Sequence, residues 1–220
     1  MSRPKLLDLF CCAGGCSMGY YDAGFDVVGV DLTPRLDYPF EFIESDAMDV
    51  LADHGFLSSF DIVHTSPPCQ HYSVAANAHG NADDHPDLVA ATRDALRSWG
   101  GPYVIENVPT APLIDAVLIC GWAMGLRHIK RHRLFETNMP LMSPGCLCPE
   151  GDTVSVFGHS GEDRRKSAGG MRKHVPIAEV RELMCVPWIK GRDEVSESIP
   201  PPYTEFLGAQ ILDYLEAVAA

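Results

Sequence analysis

Short aliphatic, β-branched runs recur along the first half of the chain, each leading into a turn and then a helical stretch. This alternation restricts the fold more than any other feature. The runs "KLLDLF" (5–10), "FDVVGVDL" (25–32), "FDIVHT" (60–65) and "PYVIENV" (102–108) read as buried strands, with "AVLICG" (116–121) a further one. Between them, "CCAGGCSMGYYDAG" opens a helix from a glycine-rich turn, and "DAMDVLADHG" reads as a short helix ending near Gly55. "HPDLVAATRDALRSWG" reads as a helix stopped by Gly100. Strand–helix alternation of this kind predicts an α/β fold, doubly wound around a mostly parallel sheet with right-handed crossovers.

The pattern changes after about Phe135. "TNMPLMSPGCLCPEGDTVSVFGHSGEDRRKSAGGMRKH" is rich in Gly, Pro and Ser with little periodicity, which predicts an irregular insertion. Order is expected again at "PIAEVRELMCVPWI" and in a closing helix over roughly 205–218, with "ESIPPPYTEF" as the hinge before it. Net charge is −13, but it is unevenly spread. Between Arg127 and Arg192 there are 12 Lys/Arg against 7 Asp/Glu, and the remainder holds 5 against 23. An acidic body with one basic segment is compatible with local phosphate contacts.

No apolar run reaches the roughly 18 residues of a membrane span, and no secretory leader is expected. The eight cysteines do not form a small secreted framework, so a reduced, cytoplasmic protein is the expectation.

In an open α/β fold, ligands gather beyond the carboxyl ends of the strands. Cys69 follows "FDIVHT" directly after two prolines, which cannot continue a sheet ladder, so it belongs at that edge. Glu106 ends "PYVIEN" and should face the same crevice. The glycine-rich turn after the first strand and Asp31 at the end of the second suit a nucleoside-bearing cofactor. They do not separate NAD from S-adenosylmethionine; the pairing of Cys69 with Glu106 does. A thiolate beside a carboxylic acid suits conjugate addition to a pyrimidine: sulfur attacks carbon 6 while the acid serves ring nitrogen 3. Carbon 5 then becomes nucleophilic enough to take a methyl group.

These motifs resemble the cytosine-5 DNA methyltransferase family, in a short phage-type form. "DLFCCAGGCSMGY" resembles the family's first cofactor motif, "SPPCQHYS" its nucleophile motif and "ENV" its acid motif. "KRHRLFE" resembles the arginine motif, and "YTEFLGAQIL" the closing helix. The resemblance implies a Rossmann-like S-adenosylmethionine-dependent fold acting on duplex DNA. It makes Cys69 the nucleophile, gives Glu106 contacts to the base, and has Arg131 and Arg133 orient base and loop. For the cofactor, S-adenosyl-L-methionine, it implies Phe10 stacked on adenine and Ala13, Gly14 and Gly15 approaching by backbone. Asp31 with Leu32 would hold the ribose, Asp46 with Ala47 the adenine, and Pro68 would shape the pocket behind the thiol. Three departures stand out: Cys12 in place of glycine, Ile129 in place of glutamine, and "GAQ" (208–210) in place of Gly-Asn-Ser.

The resemblance covers roughly the first 136 and last 25 residues. Residues 1–136 with 196–220 are therefore expected to form the catalytic domain, and 137–195 a reduced target-recognition segment. There Arg164, Arg165, Lys166, Arg172 and Lys173 suit phosphate contact on a short target. The loop from Gln70 to about Asp84 is the expected lid over a flipped base. Cys146, Cys148, His159, His174 and Cys185 have the residue types of a zinc site. The Cys-x-Cys spacing is not the usual two to four residues, so no metal is expected. The chain is expected to act as a monomer, in a bacterial or phage-infected cytoplasm. The competing readings are an RNA (tRNA) cytosine methyltransferase, a catalytically silent DNA-binding homologue and, least favoured, an NAD-dependent oxidoreductase.

Overall fold

The computed structural model describes residues 2–72, 85–127, 129–149, 154–156, 162–163 and 173–219, with the backbone alone at 154–155, 162–163 and 173–174. Seven strands make one sheet: β1 (Lys5–Leu9), β2 (Asp26–Asp31), β3 (Glu41–Glu44), β4 (Ile62–Thr65), β5 (Tyr103–Asn107), β6 (Val117–Cys120) and β7 (His132–Thr137). Their order is β3-β2-β1-β4-β5-β7-β6, with β1 to β5 parallel and β7 antiparallel to both of its neighbours. The winding direction reverses between β1 and β4, and a crevice opens at the carboxyl ends of strands where a doubly wound sheet does this.

The alternation within β1 shows how the sheet is covered on both faces. Leu6 packs with Tyr20, Phe25, Tyr203 and Ile211, on the side of α1 (Gly15–Ala23) and the closing helix, here α7 (Pro201–Ala219). Leu7 and Leu9 point to the other side, against Leu51, Leu57 and Leu96 of α2 (Ala47–Ala52), α3 (His54–Leu57) and α4 (Val89–Trp99). Strands buried on both faces read as continuous apolar runs, which is why they were legible.

Five elements differ from the sequence expectation. The predicted helix over 46–55 is two helices, because Asp53 ends α2 and its carboxylate caps α3 by accepting from Phe56 N. Helix α4 begins at Val89, three residues beyond Pro86. Helix α7 begins at Pro201, earlier than expected, since proline in a first turn gives up no intrahelical hydrogen bond. Strands β3 and β7 were not singled out; β3 is a half-exposed edge strand with little apolar signal.

After β7 the chain forms a small antiparallel sheet of β8 (Val154–Ser155), β9 (Glu162–Asp163) and β10 (Lys173–His174), then α5 (Ile177–Leu183) and α6 (Arg192–Glu197). No helix among the described residues is long and apolar enough to cross a membrane.

Candidate active site

The chain leaves β1 through a tight reversal in which Phe10, Cys12 and Gly14 take positive φ, at +59°, +47° and +80°. Asp31, at the end of β2, holds this turn: its Oδ2 accepts from Cys12 N at 3.0 Å and its Oδ1 from Thr33 N at 3.1 Å. Gly15 opens α1 against the segment before α7, where a Cβ would stand 2.4 Å from the Ile199 carbonyl oxygen. Glycine is required by that approach. Beyond these strand ends lies a cavity of about 530 Å³.

Pro67 and Pro68 lead out of β4 and bring Cys69 to the cavity wall. Two bonds hold this corner. Asn107 Nδ2 donates to the Pro67 carbonyl at 2.9 Å, and Tyr72 N donates to the Cys69 carbonyl at 3.1 Å, closing the turn Gln70–Tyr72. Asn107, in the same "ENV" motif as Glu106, thus ties β5 to the Cys69 turn.

Glu106 is 4% exposed. Arg133 Nε lies 2.9 Å from its Oε1, outside hydrogen-bond geometry, so that buried oxygen makes no hydrogen bond among the described residues. Burial pushes the Glu106 carboxyl up, against the pull of Arg133 and Arg131. Burial likewise pushes the Cys69 thiol up, while Arg133 pulls it down, Glu106 pushes it up and Arg131 pulls it down. One guanidinium therefore favours the thiolate and also faces the acid, beside an acid whose burial favours its proton. The pocket thus sets a thiol and a buried carboxyl around one guanidinium.

Phe10, Gly15, Asp31, Leu32, Asp46, Ala47, Pro68, Cys69, Glu106 and Arg133 all line this cavity. Asp46 also caps α2, its Oδ1 accepting from Met48 N at 2.8 Å. Ala13, Gly14 and Arg131 are not among the lining residues. The Ala13 carbonyl accepts from Trp188 Nε1 at 2.9 Å, so it fastens the glycine-rich turn to the second half of the chain.

Arg131 is 5% exposed, and its guanidinium donates to the carbonyls of Val156, Ser196 and Ser198 at 2.8–2.9 Å. Burial pulls it down to about 9, with Arg133 adding to the effect, so it stays cationic at neutral pH. Arg131 is held by these backbone carbonyls, and of the two arginines only Arg133 lines the cavity. Alternation along the strand separates them from His132.

Sequence reasoning missed Arg35, Met48, Gln70, Glu197, Ser198 and Ile199, which also line the cavity. The last three sit in "ESIPPP", which read as a mere hinge. The departure "GAQ" (208–210) lies away from the cavity. Gly208 packs on α1, where a Cβ would be 2.6 Å from that of Ala23, and Gln210 bonds the backbone of Met142. Ala209 is exposed, and Ile129 is fully buried in the core, so neither departure touches the cavity. The lid expected over residues 70–84 lies outside the described residues from Ser73 onward, as do His159, Arg164, Arg165, Lys166 and Arg172.

Residues 4–111 match the family model for C-5 cytosine-specific DNA methylase. The match spans the glycine-rich turn, the Cys69 corner and the Glu106 strand, and ends before the arginine motif. No curated protein matches the chain. Two solved structures share its fold at 12% identity and a TM-score of 0.62. One is the Entamoeba histolytica methyltransferase EhMeth, with 100% of both chains covered. The other is a Spodoptera frugiperda DNMT2 mutant, with 97% of this chain and 99% of that one covered. The fold is thus the Rossmann-like methyltransferase type.

Proposed function

We propose that this chain is a cytosine-5 methyltransferase that transfers a methyl group from S-adenosylmethionine to duplex DNA. The observation that carries the reading is the joint presence of Cys69, Glu106 and Arg133 on one cavity whose other arm is lined by Phe10, Asp31 and Asp46. That arm fits the cofactor. It offers an aromatic ring and carboxylates, and the two arginines on the cavity already face carboxylates, Arg35 at Glu194 and Arg133 at Glu106. Such a lining favours a cationic sulfonium nucleoside over a dinucleotide diphosphate. S-adenosylmethionine supplies an electrophilic methyl group.

The residues of the chain prepare the acceptor. Cys69 thiolate adds to carbon 6 of a flipped cytosine, and the ring's developing charge is met at nitrogen 3 by protonated Glu106. Arg133 holds both groups in register and keeps the thiol within reach of ionisation. Carbon 5, so activated, would take the methyl group, and the sulfonium would leave as a neutral thioether. Loss of the carbon 5 proton to water would let the Cys69–carbon 6 bond break and return the thiolate. A base inside the duplex stack could not reach Cys69, so flipping is part of the proposal. The basic side chains of residues 137–195 are proposed to contact the target's phosphates.

Labelled-cofactor assays on duplex DNA and on tRNA test the substrate class. DNA with 5-fluorocytosine at the target should trap an adduct on the Cys69 peptide, because fluorine cannot leave as a proton does. Cys69→Ser should fall below about a thousandth of wild-type turnover. Glu106→Gln should lose roughly 10²–10³-fold in rate with little change in DNA affinity. Methylation of tRNA alone, or an adduct on another cysteine, would overturn the proposal.

A further inference from the structure

Cys120, His132, Cys146 and Cys148 come together from three separate segments, with one ligand atom from each within 4.8 Å of all the others. Two of them are set by sheet register. Cys120 ends β6 and His132 begins β7, and the antiparallel ladder pairs them directly. The other two arrive on the loop after β7, which is held by the Gln210–Met142 bonds and by Ser143 Oγ donating to the Leu118 carbonyl. The cluster therefore does not depend on the chance position of a loose end.

The spacings identify what the cluster is built for. Cys120 Sγ and Cys148 Sγ are 3.4 Å apart, far beyond the roughly 2.05 Å of a disulfide. His132 Nε2 stands 3.3 Å from Cys146 Sγ and 3.5 Å from Cys148 Sγ. Tetrahedral zinc, with Zn–S near 2.3 Å and Zn–N near 2.0 Å, requires ligand–ligand edges of roughly 3.5–3.8 Å. These three of the six edges lie at or just below that range, and all six are within 4.8 Å. Cys148 N also donates to Cys146 Sγ at 3.5 Å, a contact that satisfies a thiolate left with spare lone pairs.

We infer that Cys120, His132, Cys146 and Cys148 form a closed structural zinc site. Three thiolates and an imidazole are a soft donor set that selects zinc over magnesium or calcium. With four protein ligands it leaves no open position for catalysis. The sequence reading of no metal rests on Cys146 and Cys148 alone from this set. Cys120 and His132 lie 26 and 14 residues upstream of Cys146, and only sheet pairing brings them near. Of the other residues then considered, Cys185 lies outside this cluster, while the side chains of His159 and His174 lie outside the described residues.

The site has a consequence for the cavity. His132 stands between Arg131 and Arg133, and Arg133 donates to the His132 carbonyl at 3.0 Å. A metal at His132 fixes the start of β7, which carries Arg133 toward Glu106. It also staples the chain that leads into residues 150–174 to the sheet.

Metal analysis of the full chain, purified without chelator, should find about one zinc per molecule. Cys148→Ser and Cys120→Ser should lose it, while Cys185→Ser, an exposed thiol outside the cluster, should keep it. Wild-type protein stripped of zinc and titrated with cobalt provides a readout that does not depend on any variant folding. It should develop thiolate-to-cobalt charge-transfer absorption and the intense visible bands of a tetrahedral ion. His132→Cys should retain metal and increase the charge-transfer band by roughly a third, following the thiolate count. Wild-type protein that holds no zinc and gives no such bands would overturn the inference. Equal zinc in wild type and Cys148→Ser, or a Cys120–Cys148 disulfide in place of the metal, would do the same.

Discussion

Cys12 adopts φ +47° in the turn that follows β1, a region where an L side chain costs roughly 1–2 kcal/mol. Its amide is nevertheless committed to Asp31 Oδ2, so the turn cannot relax without giving up a carboxylate that lines the cavity. This gives the departure at Cys12 a physical meaning: the backbone keeps a glycine-like conformation although the side chain has changed. Cys12→Gly should therefore stabilise the fold, by up to about 1 kcal/mol after the unfolded chain's added freedom is counted. Cys12→Val should destabilise it by more than about 1 kcal/mol, because a β-branched residue is poorly tolerated at positive φ. Urea unfolding of the two variants decides the point, and a glycine variant less stable than wild type would contradict it. At this scale the sequence was informative wherever chemistry and strand ends coincide, as at Cys69, Glu106 and Asp31. It was silent on Glu197 and Ser198, whose place in the cavity depends on the segment between α6 and α7 packing against Gly15 at the start of α1, a long-range contact with no local signature.

Between elements, one buried ion pair joins α4 to β7. Arg93 Nε and a terminal guanidinium nitrogen reach the two oxygens of Glu136 at 2.7 and 2.8 Å, and Glu136 is 2% exposed. Glu136 also accepts from Ile114 N at 2.8 Å, and Arg93 donates to the Pro112 carbonyl at 2.8 Å, so both ends are well satisfied. The bond to Glu136 pushes the Arg93 guanidinium up, against the opposing effect of burial. Removing one partner leaves the other charge buried and unpaired. Glu136→Ala should thus cost about 3–5 kcal/mol. Arg97→Ala should cost less than about 1 kcal/mol, since Arg97 is half exposed and 3.7 Å from the same carboxylate. Denaturant titrations of the two variants separate these magnitudes; similar losses would mean the pair is not the joint. None of this could be read from "RDALRSW" or "RLFET" alone, because antiparallel β7 slots between β5 and β6 out of chain order. The buried parallel strands β1, β2, β4 and β5 announced themselves by composition. Strand β7, carrying His132, Arg133 and Glu136, did not.

For the whole molecule, the middle of the sheet holds two buried titratable groups side by side, Asp8 on β1 and His64 on β4, paired in register and both fully buried. Asp8 bonds Ser17 Oγ through one oxygen, while the other has no hydrogen-bond partner. Burial pushes its carboxyl from 3.8 up to about 7, with Ser17 pulling it down and Asp31 and Glu106 pushing further up. The His64 ring bonds Tyr20 Oη at 2.9 Å and Ser66 Oγ at 3.0 Å, and burial pulls it from 6.5 down to about 3. The two shifts act on stability with opposite signs. The Asp8 contribution is full below its unfolded value and is lost as pH rises toward its folded value. The His64 contribution is full above its unfolded value and is lost as pH falls toward its folded value. Between about pH 4 and 6.5 the folded pair, neutral at both sites, binds as many protons as an unfolded aspartate and imidazolium, so the two slopes cancel. Relative to wild type, Asp8→Asn should make stability rise with pH across that window, by at most about 1.4 kcal/mol per pH unit. His64→Gln should make it fall with pH by a similar amount. Urea unfolding at half-unit pH steps gives both difference curves. Two curves of the same sign would show that the groups do not balance, and flat curves would show that neither is shifted in the folded protein.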